Sequence, residues 1–208
     1  LVSSCEKAPL TNGKTSTETR EFTEAISSLY IYDDISVTLI EDDSFRIEIT
    51  TGENLMEKIT SNVINGALYL RNDNIRNWAR SYDYPLEIKV YHNSINHINY
   101  KSWGFLKTEG FLSKDTIANF NLYVEQGSGD IDLSLNCKNL NINSNDGTSK
   151  VTVSGSSDYT YLRNRGTSPI NALDLKSKDA KAEIHYIGSI YVNCENKLGA
   201  NTYNRVNI

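Results

Sequence analysis

Apolar and polar residues alternate over Ile35-Ser36-Val37-Thr38-Leu39, and the alternation resumes at Phe45-Arg46-Ile47-Glu48-Ile49 after the acidic turn 41–44. A period of two gives an extended strand one apolar face, so this pair predicts a β-hairpin with one side buried. A second hairpin is predicted where Asn65-Gly66 separates Val63-Ile64 from Ala67-Leu68-Tyr69-Leu70, because both turn residues tolerate the positive φ of a type I′ turn. Between the two hairpins, Glu53 to Ile59 is the best helical candidate and is short. Leu86-Glu87-Ile88-Lys89-Val90 resumes the strand pattern, after a polar and aromatic stretch from Arg71 to Tyr84 that reads as an exposed loop.

The second half repeats. Glycines stand at 104, 127, 147, 166 and 188, in steps of 23, 20, 19 and 22 residues. Apolar pairs after these corners (Ile131/Leu133, Val151/Val153, Leu173/Leu175, Ile190/Val192) and apolar residues before them (Val124, Ile142, Leu162, Ile184) keep a similar period. Each unit is a strand, a Gly/Asn/Asp corner and a second strand, too small to bury its own apolar face. Stacking rungs of about twenty residues buries that face in continuous columns, which predicts an all-β solenoid of the β-helix kind. A β-sandwich is the competing architecture, and the in-register glycines favour the solenoid.

Composition agrees with strands. Thirteen Tyr, one Met and many Asn and Ser disfavour long helices. At 208 residues one domain is expected, with a core large enough to fold without a metal or disulfide framework. The net charge of −5 argues against a nucleic-acid partner, which is held by clustered Lys and Arg.

Leu1-Val2-Ser3-Ser4-Cys5 resembles a bacterial lipobox, in which the cysteine becomes the lipidated first residue of the mature protein. The stretch from Glu6 to Glu21 is almost devoid of apolar residues and reads as a solvated tether. Residues 1–21 are therefore expected to be lipobox remnant and tether, and 22–208 a single domain held at a membrane through Cys5. Cys137 and Cys194 could pair in an exported compartment or stand as small buried hydrophobes. His92, His97 and His185 lack zinc-ligand spacing, and neither a metal nor a cofactor is expected.

Gly127-Ser128-Gly129-Asp130-Ile131, with a strand on either side, follows Thr51-Gly52-Glu53-Asn54-Leu55 and Val63-Ile64-Asn65-Gly66-Ala67-Leu68. In this order the segments resemble the putative auto-transporter adhesin, head GIN domain family, over about Phe22 to Ile208. The resemblance implies a right-handed parallel β-helix and an exported lipoprotein of the kind common in Bacteroidetes, at the outer membrane on its surface or periplasmic face. Ser102-Trp103-Gly104-Phe105 and Asn145-Asp146-Gly147-Thr148 depart from the family's small Gly-x-Gly corners.

No nucleophile elbow, zinc-protease motif or phosphate loop occurs, and no catalytic residue is assigned. Outward positions after the corners would stack Asp130, Asp132 and Asp174 near Lys150, with Thr152 and Tyr191, a pattern any solvated strand face produces. Exposed aromatics are the better candidates for binding: Trp78, Tyr82 and Tyr84 in the long loop, and Tyr100, Trp103 and Phe105 at one corner. The expected function is a non-enzymatic adhesin binding glycan or protein. A polysaccharide lyase or hydrolase on the same scaffold and an envelope-structural protein are the alternatives. An uncapped end rung could also pair with a copy of itself.

Overall fold

A computed structural model describes residues 11–74 and 86–203 of the chain. Among the described residues it is all β apart from one 3-10 turn, Met56–Lys58, which stands where the short helix was expected. The strands are β1 Thr15–Glu21, β2 Ser28–Asp33, β3 Ser36–Glu41, β4 Arg46–Gly52, β5 Ile59–Ile64, β6 Ala67–Asn72 and β7 Glu87–His92. They continue as β8 His97–Ser102, β9 Leu106–Glu109, β10 Leu112–Val124, β11 Ile131–Ser144, β12 Val151–Asn164, β13 Ile170–Ile184 and β14 Ile190–Thr202.

All fourteen join one sheet. From β11 onward each long strand has two arms, because its inward alternation is interrupted near its middle. In β11 the residues Ile131, Leu133, Leu135 and Cys137 are buried, Lys138 and Asn139 are both exposed, and Leu140 and Ile142 are buried again. That interruption is a corner. The first arms stack beyond β7, β3 and β9, and the second arms beyond β6, β2, β8 and β10. The inward residues of both stacks form a single core that includes Leu29, Ile31, Val37, Ile98, Phe120, Leu133 and Leu162.

The β10 to β14 stack is parallel, and its register confirms the period. Ile131, Val151, Ile170 and Ile190 stand in one column, and Leu122, Ile142, Leu162 and Ala182 in another. Two expected columns are corrected. Ile170 and Ala172 take the place expected for Leu173 and Leu175, because β13 bulges there and leaves Leu173 half exposed. Val124 aligns with Ser144 and Ile184 with Asn164, each two residues from the column read in the sequence.

A parallel β-helix preceded by short hairpins was expected, whereas parallel and antiparallel strands join in one mixed sheet. The antiparallel pairs are β1 with β4, β4 with β7, and β5 with β6. The Asn65-Gly66 hairpin forms as expected, with φ of 52° and 73° at its two turn residues. The hairpin expected from residues 35–49 does not form, since β7 inserts between β3 and β4 and pairs with both. The stretch read as tether contains β1, whose side chains are mostly exposed and whose backbone pairs with β4 from Thr15 to Glu21.

Glycines make the corners by letting backbones touch. A Cβ on Gly129 would lie 1.7 Å from the Gly104 carbonyl oxygen. One on Gly147, where φ is +105°, would lie 2.2 Å from the Gly127 carbonyl oxygen. No side chain can occupy either place, so the repeat of glycines records rungs in direct contact.

Candidate functional site

The outer surface of the second arms is the most elaborated polar surface among the described residues. Leu29, Ile31, Ile98, Leu122 and Ile142 point inward on these strands, so their neighbours point out. At the β6 side the outward residues are aromatic. Tyr69 and Tyr30 stack at 4.6 Å between ring centroids, His97 lies 6.1 Å from Tyr30, and Tyr123 lies 5.2 Å from His97. Because Tyr30 and Tyr69 face each other, they offer edges and hydroxyls rather than open ring faces to solvent. Partial burial lowers the His97 pKa, which favours the neutral ring.

Asparagines occupy the middle. The side-chain amide of Asn139 donates to the amide oxygen of Asn119 at 3.0 Å, Asn141 to Asn121 at 3.3 Å, and Asn143 to Asn141 at 2.7 Å. Parallel in-register strands put identical residues at the same height, so the amides pair across β10 and β11, and Asn141, which donates to Asn121 and accepts from Asn143, joins the cross-strand pair to its own strand.

A charged network follows on β12 and β13. Glu183 is 2.7 Å from the Lys181 ammonium, accepts from the Tyr161 hydroxyl at 2.7 Å, and lies 3.5 Å from His185. The hydrogen bond from Lys181, then that from Tyr161, hold the Glu183 carboxyl down to about 2 against the opposing effect of burial. Burial and the Glu183 charge raise Tyr161, and the same hydrogen bond raises Lys181. A carboxylate held this far down is a weak proton acceptor at neutral pH, so the network orders side chains rather than moving protons. The opposite border carries Lys101, 2.6 Å from Glu125, and Arg71, whose guanidinium sits 4.1 Å above the Tyr32 ring. Trp103 continues the outward parity of His97, Asn99 and Lys101 and is 64% exposed.

The residues singled out in the sequence are distributed unequally. Cys5, Trp78, Tyr82 and Tyr84 lie outside the described residues. Trp103 and Phe105 stand at the same corner, with Phe105 half-buried and the Lys107 ammonium 4.7 Å above its ring. Tyr100 is fully buried, and its hydroxyl donates to the Gly104 carbonyl. Burial pushes its pKa to about 12, so this ring fills the corner from within and offers nothing to a surface ligand.

The carboxylates considered for catalysis are not collected together. The outward row on the first arms reads Lys107, Asp132, Thr152, Asn171, Tyr191, with a single acid. Among the described residues no group of three or more His, Cys, Asp and Glu could hold a metal ion. Cys137 and Cys194 are both free and share one column with Ser157 and Ser177 between them. At about 4.8 Å per strand they are some 14 Å apart, too far for a disulfide.

A family model for the putative auto-transporter adhesin, head GIN domain matches residues 26–208. The chain belongs to this family. Among solved structures, the head GIN domain chain is similar to a putative adhesin from Bacteroides fragilis, with a TM-score of 0.73 and 19% identity over 92% of this chain and 98% of that one. A putative adhesin from Parabacteroides merdae gives a TM-score of 0.62 at 12% identity, over 93% and 98% of the two chains. A putative lipid binding protein from Parabacteroides distasonis gives 0.61 at 16% identity, over 90% and 97%. At these identities the likeness shows the fold. A search of curated proteins found no match.

The asparagine rows leave a trace in the sequence that single residues do not. Asn119 and Asn121 recur as Asn139 and Asn141, one rung later. Polar residues repeating in phase with buried columns must share one outer surface.

Proposed function

We propose that this head GIN domain protein is an exported, non-enzymatic adhesin that binds neutral glycan on the outer surface of its second arms. The observation that carries the proposal is the asparagine row Asn119, Asn139, Asn121 and Asn141, held from beneath by the buried Asn143, flanked by tyrosine hydroxyls and bordered by the exposed Trp103. Amides that donate and accept suit the hydroxyls of an uncharged sugar, and the middle of the surface carries no charge to select an ionic ligand. From β6 to β13 it crosses six strand spacings, about 30 Å, which suits an oligosaccharide better than a single sugar. Trp103, exposed at the corner, is the residue placed to stack on a sugar.

In this reading the rungs are turns of a right-handed parallel β-helix, and lipid attached at Cys5 holds the domain at the outer membrane. Mass spectrometry of the N-terminal peptide from native cells should find acyl chains on Cys5. The binding proposal is tested on a glycan array with the full chain. Neutral oligosaccharides should be retained, and Trp103→Ala combined with Asn141→Ala should weaken retention at least about tenfold. Equal retention by the double variant would remove this surface from the binding site.

A further inference from the structure

The strand at the C-terminal end of the stack is unpaired on one side. β14 pairs with β13 and, among the described residues, with nothing beyond it. Its inward positions are correspondingly bare. Leu198 is 51% exposed, whereas Ala180, directly below it on β13, is 4% exposed. A parallel rung end of this kind presents both a free backbone edge and an open apolar column.

The pattern of β14 is symmetric about Asn196. Ile190, Val192 and Cys194 are half-buried and align with inward residues of β13 on the first arm. Leu198, Ala200 and Thr202 align with Ala180, Ala182 and Ile184 on the second arm. The three residues between, Glu195, Asn196 and Lys197, are exposed at the corner. A two-fold axis through this corner lays the first arm of one chain antiparallel on the second arm of another. Ile190 then meets Thr202, Val192 meets Ala200, and Cys194 meets Leu198, so inward residues oppose inward residues throughout. A shift of one residue would turn every one of these pairs inside out.

Charge fits the same register. Down the corner the outward side chains alternate in sign: Lys138, Asp158, Lys178 and Glu195. Lys178 is 2.7 Å from Asp158, and its charged form is further favoured by Glu195. The two-fold pairing places Glu195 of each chain opposite Lys197 of the other, twice per dimer, and continues the alternation across the boundary.

We propose that two copies of this chain pair end to end through β14, with the two-fold axis at Asn196. The interface is isologous, so it closes at two chains and does not propagate into a fibre. It leaves the outer surface of the second arms free on both copies. Paired copies would therefore offer two binding surfaces, whatever ligand those surfaces hold.

The test uses the full chain with Cys5→Ser, which prevents lipidation. Analytical ultracentrifugation over a concentration series should show a monomer–dimer equilibrium. Glu195→Lys places lysines opposite lysines and should raise the dissociation constant at least about tenfold. Glu195→Lys with Lys197→Glu restores opposite charges and should bring the constant back to near the parent value. In Asn196→Cys the two introduced thiols face each other across the axis, and a short bifunctional thiol cross-linker should yield a covalent dimer that the parent does not give. A monomer at every concentration would overturn the proposal. So would a dimer that is indifferent to the Glu195→Lys change, or one in which the linker fails to join the two Asn196→Cys thiols, since another surface would then be responsible.

Discussion

At the N-terminal end the outermost strands run antiparallel to their neighbours, and β1 carries Thr, Ser, Glu and Arg along a solvated edge. The two arms are tied together there, because the Arg20 guanidinium on β1 donates to the Ile59 carbonyl at 2.8 Å and to Ser61 at 2.9 Å on β5. At the C-terminal end β14 continues the parallel stack unchanged and leaves its inward residues open. A stack of rungs has two edges that must be finished, and polar antiparallel strands finish one without inviting another chain. The other end is left in the form that a second copy can use. The contrast gives residues 15–72 a sealing role and leaves 190–202 as the edge that the proposed dimer would use.

Both ends depend on rungs that touch, and Gly129→Ala should break the contrast most completely. Its Cβ would lie 1.7 Å from the Gly104 carbonyl oxygen, where the obstacle is backbone. The variant should lose more than about 4 kcal/mol and fail to give a cooperative thermal transition by circular dichroism. Arg20→Ala should act on the N-terminal end alone. Losing charge-assisted hydrogen bonds to Ile59 and Ser61 should cost about 1–2 kcal/mol. Hydrogen exchange should quicken in β1 and β5 while β12 to β14 keep their protection.

Acid should separate two contributions, each in its own window. Burial lowers the His92 pKa from 6.5 to about 4, so the folded state binds fewer protons there than the unfolded state. That contribution is present above pH 6.5 and is lost as pH falls toward 4. Glu183 titrates at about 2 when folded, against an ordinary 4.5, so its contribution is lost only as pH falls from 4.5 toward 2. Urea denaturation at a series of pH values should show both limbs, and Glu183→Gln should remove the lower one while sparing the upper.

How much of this was legible in the sequence depends on how local each contact is. The Asn65-Gly66 hairpin is specified by adjacent residues, and the repeat by glycines about twenty residues apart, so both were readable. The place of β7 between β3 and β4 was not, because alternation in Ile35–Leu39 and Phe45–Ile49 reveals an apolar face but not its neighbour. β1 escaped because its side chains are polar and its pairing is carried by the backbone. Tyr100 and Trp103 look alike as corner aromatics. Only the parity of β8, with Ile98 and Tyr100 inward, separates the buried ring from the exposed one. The asparagine surface was hidden for a different reason: single asparagines read as turn formers until the rungs are placed in register.

The central claim, that the outer surface of the second arms holds the ligand, is tested most directly by following side-chain NH signals by NMR during titration with a neutral oligosaccharide. The amide pairs of Asn121, Asn139, Asn141 and Asn143 and the indole NH of Trp103 are predicted to shift together and saturate at one concentration. Saturable shifts confined to the first arms, with these five signals unmoved, would contradict it.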